Sequence, residues 1–194
     1  MHAYQGNQDE RKRIHFFFAI CSVPLAWLLG RALKATGWEL WWLDAPAVWG
    51  IYVALCKGFS KWGWRLHVLR KIGVVTTPDF AGSYTGKLRT SHDEVEREVT
   101  MRIVQEFDRM QVRWEGPMSI SRSVAASVIC EDGAGPRLLY SYTNAPDAMA
   151  PDALVVHDGT CELELDVAGM GLRGHYYNGR GRKNHGAVTF TRRP

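Results

Sequence analysis

Apolar positions follow two different patterns along this chain, one on each side of Pro78. Before it lie two nearly unbroken apolar runs, 14–30 and 40–56; beyond it, apolar and polar residues alternate in short segments divided by turn residues. The first run has no Asp, Glu, Lys or Arg across its seventeen positions. At ~1.5 Å per residue that is the low end of what spans a hydrocarbon core, and Arg31 can snorkel if the helix runs on to Leu33. Asp44 and Pro46 interrupt the second run. A carboxylate at the bilayer centre costs about 2.5–3.5 kcal/mol, which places Asp44 near the membrane surface and carries the span toward Phe59, with Trp38, Trp41 and Trp42 as an interfacial belt. The pair reads as a membrane hairpin over 1–59. A cleaved signal peptide also needs a basic start and an apolar core, but no clear small-x-small site follows Leu29 and the second run would be left over. A soluble helical hairpin is the other reading, because runs this short also occur in buried cores.

Charge sets the expected topology. Arg11, Lys12 and Arg13 precede the first run, and Lys57, Lys61, Arg65, Arg70 and Lys71 follow the second, so both termini are expected in the cytoplasm of a multi-pass membrane protein. The net charge of +4 is uneven: residues 1–80 hold ten Lys/Arg against five Asp/Glu, and residues 81–194 hold fourteen against fifteen. Anionic lipid headgroups suffice to match the membrane-proximal surplus, at about 1 kcal/mol per basic residue near the surface, and no DNA or RNA polymer is called for. Cys21, Cys56, Cys130 and Cys161 show neither paired nor metal-ligand spacing and read as reduced thiols of a cytoplasmic setting.

Residues 60–79 form a basic linker in which Trp62, Trp64, Leu66, Val68, Leu69 and Ile72 mix with the cations, suiting an interfacial amphipathic helix or an extension of the second span. The remaining 80–194 are long enough for a core of their own. Alternation marks eight strands, near 82–90, 95–107, 109–115, 119–130, 137–144, 157–167, 171–177 and 186–192, with a lid or rim loop at 145–156. Eight short antiparallel strands close into a small barrel that leaves no open edge and can hold one small ligand. The expected fold is therefore a membrane α-helical hairpin followed by an all-β, eight-stranded antiparallel barrel.

Candidate chemistry concentrates near the end of the chain. After Asp166 no acid remains while Arg173, Arg180, Arg182, Lys183, Arg192 and Arg193 follow. Arg180 and Arg182 alternate with flexible glycines, a composition for bidentate phosphate contacts, or else a solvated basic hairpin tip. Tyr84, Tyr140, Tyr142 and Tyr176 share a strand face with Asn144 and Asn178, as stacking surfaces with polar tips or as core packing. Catalytic patterns are thin: no His-Glu-x-x-His or Cys-x-x-Cys occurs, and Asp158, Glu162, Glu164 and Asp166 alternate as the outer face of a strand. No enzyme activity, metal or cofactor is expected.

The order hairpin, basic linker, barrel is joined by three local stretches: Pro78-Asp79-Phe80-Ala81-Gly82-Ser83-Tyr84-Thr85-Gly86, Leu139-Tyr140-Ser141-Tyr142-Thr143-Asn144-Ala145-Pro146, and Leu172-Arg173-Gly174-His175-Tyr176-Tyr177-Asn178-Gly179-Arg180. Together they resemble the CBASS antiphage effectors that join two transmembrane helices to a cyclic-nucleotide-sensing β-barrel and are associated with CD-NTase enzymes. Ala81 departs from the larger apolar residue expected there. The resemblance implies a receptor for a cyclic di- or oligonucleotide second messenger made by a CD-NTase, with homo-oligomerisation on activation and disruption of the inner membrane by the spans. For such a ligand, Arg180 and Arg182 would take phosphate oxygens, Tyr84, Tyr142 and Tyr176 would stack on or cap bases, Asn144 would read a base edge, and Tyr140 and Asn178 complete the expected pocket. A membrane-tethered, lipocalin-like barrel with an apolar ligand and a ligand-free structural barrel fit the same strand pattern.

Overall fold

The computed structural model describes residues 1–37, 44–92, 95–130, 135–151, 154–166, 170–179 and 184–193. It divides into a helical unit, Gln8–Thr76, and a second unit formed by Met1–Asn7 together with Thr77–Pro194.

In the helical unit, α1 (Gln8–Ala35) has Asp9 and Glu10 in its first turn and Lys34 in its last, the order that opposes the helix dipole. Among the described residues it is the one helix long and apolar enough to cross a membrane, and Phe16, Phe17, Ile20, Val23, Trp27 and Leu28 are exposed along it. The second apolar run forms α2 (Asp44–Lys61), which packs on α1 through an edge-on Phe18–Phe59 contact at 5.3 Å and a 3.2 Å hydrogen bond between the His15 ring and the Tyr52 hydroxyl. Trp38, Trp41 and Trp42 lie outside the described residues.

The basic linker is broken rather than one long amphipathic helix: a 3-10 turn at Gly63–Arg65 is followed by the short α3 (His67–Lys71). Trp64 explains the break. It is fully buried, with the Arg65 and Arg70 guanidinium groups at 4.8 and 5.8 Å from its ring. The unit closes on itself where the chain enters and leaves it. The buried Glu10 carboxylate accepts the Thr76 amide at 2.9 Å and also the Thr76 hydroxyl, and Arg13 donates to the Val74 carbonyl at 3.2 Å.

The second unit is a barrel. Its strands are β2 (Gly82–Thr90), β3 (Glu96–Gln105), β4 (Arg109–Glu115), β5 (Ser119–Ile129), β6 (Arg137–Pro146), β7 (His157–Leu165), β8 (Gly171–Asn178) and β9 (His185–Arg192). Each pairs antiparallel with the next and β9 returns to β2, so the ring is closed. All eight strands expected from alternation are present, with ends shifted by two residues at most. Alternation also sorts the faces. Along β3, Val99, Met101, Ile103 and Gln105 point inward and are buried, while Glu98, Arg102 and Val104 point outward. Val112, Leu138, Leu163, Leu172, Val188 and Phe190 join them in one core, at about 1.5–3 kcal/mol for each large side chain removed from water.

One element has no counterpart in the sequence reading. His2–Ala3 forms β1, which pairs with β4, His2 opposite Met110 and Ala3 opposite Arg109. Two residues are too few to show alternation, and their partner lies more than a hundred positions away.

Candidate functional site

Strand direction puts one end of β2, β4, β6 and β8 and the start of β3, β5, β7 and β9 around a common mouth. The side chains there come from inward positions: Leu88 and Thr90 on β2, Arg97 and Val99 on β3, Trp114 on β4, Ser119 and Ser121 on β5, Tyr142 and Asn144 on β6, His157 on β7, Tyr176 and Asn178 on β8. They line an outer cavity of about 260 Å³ that continues into an inner one of about 120 Å³. Small-molecule sites typically occupy about 300–1,000 Å³ and combine apolar walls with a few convergent polar groups. A wider hollow of about 690 Å³ lies on the outer wall among Thr85, Lys87, Glu98, Thr100, Thr189 and Thr191. It is larger than the mouth but open and without aromatic walls, so the mouth is the better candidate.

Aromatic rings make the floor and walls. The Trp114 ring lies nearly parallel to Tyr142, 18° apart with centroids at 6.5 Å, and meets Tyr176 edge-on at 6.4 Å. Two glycines make room for them. Tyr142, Gly159 and Asn178 stand in one row across β6, β7 and β8, and a Cβ on Gly159 would lie 2.5 Å from the Tyr142 hydroxyl. Because that position carries no side chain, Tyr142 reaches across β7 and donates to Asn178 Oδ1 at 2.8 Å. Gly186 does the same for Tyr176, whose ring a Cβ there would meet at 2.5 Å.

Polar groups then point the mouth toward a ligand with donors. Asn144 Nδ2 donates to Ser121 Oγ at 2.8 Å and to Ser119 Oγ at 3.1 Å. Its Oδ1 is buried and has no hydrogen-bond partner among the described residues, an arrangement that costs about 1–3 kcal/mol when nothing fills it. Burial pushes the Tyr142 phenol up from its ordinary value, with smaller contributions from Cys161 and Tyr176, so it stays a neutral donor. No group of three or more potential metal ligands occurs among the described residues.

Residues 75–192 match the family described as Cap15, cyclic dinucleotide receptor domain. This chain belongs to the Cap15 family. CD-NTase-associated protein 15 of Yersinia aleksiciae is 34% identical to it over 143 residues, covering 74% of this chain and 68% of that protein. Membership places the Cap15-family chain among CBASS effectors, which act in antiphage defence through cyclic nucleotide sensing, a family of receptors rather than known catalysts.

The Cap15-type barrel brings Tyr142, Asn144, Tyr176 and Asn178 together at the mouth, four of the residues expected from sequence. Tyr140 is one inward position deeper on β6; burial, and then the neighbouring Cys161 thiol, hold its phenol well above the ordinary value. Tyr84 is at the opposite end of β2, six residues or roughly 20 Å from Thr90, where its hydroxyl donates to the Phe80 carbonyl at 2.8 Å and Arg192 lies 6.0 Å from its ring. Both are buried and neither lines the cavity, although the Tyr140 ring lies 6.1 Å from that of Tyr142, which does. Arg180 and Arg182 lie outside the described residues; Asn178 and Asn184, which flank their connection, line the mouth. Arg97, Trp114, Ser119, Ser121 and His157 were not among the expected site residues. Arg97 was the most legible of them, since alternation puts it on the same face as Val99 and Met101.

Proposed function

We propose that the mouth of the barrel binds a cyclic di- or oligonucleotide made by a CD-NTase, and that the occupied protein self-associates and disrupts the bacterial inner membrane. The observation that carries this reading is the mouth itself: stacked aromatic walls around a buried amide oxygen that has no hydrogen-bond partner among the described residues, in a chain of the Cap15 family. Trp114, Tyr142 and Tyr176 offer stacking faces for bases, and Asn144 Oδ1 accepts from a base N–H. Arg97, half-buried at the rim, takes phosphate oxygens, with Arg180 and Arg182 adding to it from the β8–β9 connection.

The actuator is the hairpin. In this reading α1 and α2 both cross the membrane, both termini are cytoplasmic, and the cations of 57–71 sit against anionic headgroups. The exposed apolar face of α1 supports membrane insertion. Messenger shifts the protein toward the associated state only to the extent that it binds that state more tightly.

Titration of the purified chain in detergent with cyclic dinucleotides tests the receptor half of the proposal. Binding should weaken when Arg97 becomes Ala, and its salt dependence should flatten, because a lost phosphate contact removes one counterion-linked term. A folded barrel that binds no cyclic nucleotide and retains an apolar molecule through purification would replace this reading with the lipocalin-like one.

A further inference from the structure

Direct backbone pairing between β4 and β5 is confined to three register pairs, Arg113–Arg122, Trp114–Ser121 and Glu115–Ile120. Two of those residues, Trp114 and Ser121, line the mouth. Away from the mouth the two strands part, and Met1–Asn7 fills the gap. β1 pairs with β4 on one side, while on the other Gln5 accepts from the Val128 amide at 2.7 Å and donates to the Ala126 carbonyl at 3.0 Å. The handover is marked on β5 by the irregularity between Ser123 and Ala125. There the Ser123 hydroxyl accepts the Val112 amide at 2.9 Å and sits 2.8 Å from His2 Nε2. A barrel that needs only eight strands to close would pair β4 with β5 along their whole length. This one leaves half the seam to a segment whose next residue, Gln8, opens α1.

The base of the same seam holds the chain where it returns. Tyr4 is buried and donates to the Phe107 carbonyl at 2.8 Å. Gln105, 1% exposed on β3, donates through Nε2 to the Tyr4 hydroxyl at 3.3 Å and to the Pro78 carbonyl at 2.9 Å, and its Oε1 accepts the Phe80 amide at 2.8 Å. One buried amide thus holds the segment that leads into the helical unit and the segment that leads out of it.

We propose that Met1–Asn7 is a seam strand that carries occupancy of the mouth to α1, with Tyr4 and Gln105 as the positioning pair that fixes both crossings; this rests on the receptor reading above. A ligand wedged against Trp114 and Ser121 bears on the short stretch where β4 and β5 pair through their backbones. Any change in their spacing has to be taken up by the segment that bridges the rest of the seam, since the closed ring offers no free edge to absorb it.

Amide hydrogen exchange on the full chain in detergent gives the test, with cyclic di-AMP, cyclic di-GMP and cyclic UMP–AMP as probes and equilibrium dialysis of the same samples. Without nucleotide, Gln105→Met should raise exchange at Gln5, Phe80 and Val128 together by at least tenfold and leave the β7–β8 amides unchanged. Tyr4→Phe, which removes only a hydroxyl, should do the same more weakly. Exchange that stays at parent rates in both variants overturns the clamp. With the probe that dialysis shows to bind, protection at Gln5 and Val128 should change at least tenfold in the parent. In Tyr4→Phe, nucleotide affinity should stay within threefold while nucleotide-triggered dye release from liposomes falls at least tenfold. Nucleotide bound with no change at Gln5 and Val128, or dye release at the parent level from Tyr4→Phe, overturns the seam as transmitter. Failure of every probe to bind counts against the receptor reading instead.

Discussion

Asn144 is the residue on which the proposed recognition most depends, because its amide nitrogen is committed to two serine hydroxyls while its oxygen has no hydrogen-bond partner among the described residues. Asn144→Ala should therefore weaken cyclic nucleotide binding by about 1–3 kcal/mol, roughly fivefold to 150-fold, with unchanged circular dichroism. Tyr142→Ala should cost a similar amount through lost stacking, whereas Tyr142→Phe, which loses only the bond to Asn178, should cost about 0.5–1.5 kcal/mol; calorimetric titration of the three variants checks the order. The same interior sets an alkaline limit. Burial pushes the Cys161 thiol from 9.0 up to about 12, against a lowering contribution from the Tyr140 hydroxyl, and burial also raises the phenols of Tyr140 and Tyr142 above 10.0. These groups hold protons in the folded barrel that the unfolded chain releases, so their contribution is complete below about pH 9 and drains away as pH climbs toward the folded values. Denaturant midpoints should be flat from pH 7 to 9 and then fall, each group adding a slope of about 1.4 kcal/mol per pH unit; midpoints that stay flat to pH 11 would contradict that burial. Residue by residue, parity along a strand told which face a side chain takes, and Tyr142, Asn144 and Tyr176 are inward as expected. Parity says nothing of height within the barrel, which is why Tyr84 and Tyr140 share the face but not the mouth.

At the scale of elements, the strands were readable because each carries its own alternation between turns, whereas β1 depends on a partner that only folding brings near. Helix α3 stops short of the amphipathic helix its composition permits because the buried Trp64 turns the chain, and burial of one ring is a tertiary outcome that no period encodes. The seam gives the element-level prediction. Residues 77–194 expressed alone should form a soluble barrel, yet one less stable than the same barrel with 1–7 joined to it, because Tyr4 leaves an unfilled pocket at the base. Large-to-small changes at buried aromatic positions cost about 3–5 kcal/mol, so Tyr4→Ala in the joined protein should lower the melting temperature by several degrees. Melting curves that coincide with and without 1–7 would show that the segment is not part of the barrel. Gly186→Ala tests the other contact between elements. Its methyl would clash with the Arg89 carbonyl oxygen and stand 2.5 Å from the Tyr176 ring, so the substitution should lower the melting temperature as well as weaken nucleotide binding.

For the molecule as a whole, the proposed function assigns sensing to the barrel with its aromatic mouth and action to the helix with its exposed apolar residues. Cysteine labelling in spheroplasts should find the barrel and residues 1–13 protected from outside, and barrel positions labelled from the periplasm would reverse the proposed topology. Deleting 1–56 should abolish membrane depolarisation in cells, although the loss of the seam strand predicts a lower melting temperature in the same protein. The measurement that bears most directly on the central claim is thermal unfolding of the purified full chain against a panel of cyclic di- and oligonucleotides. One member should stabilise the barrel in a concentration-dependent way, by roughly 2.7 kcal/mol at 100 times its dissociation constant, and Asn144→Ala should remove most of that shift. A folded barrel whose melting temperature no cyclic nucleotide moves would contradict the account.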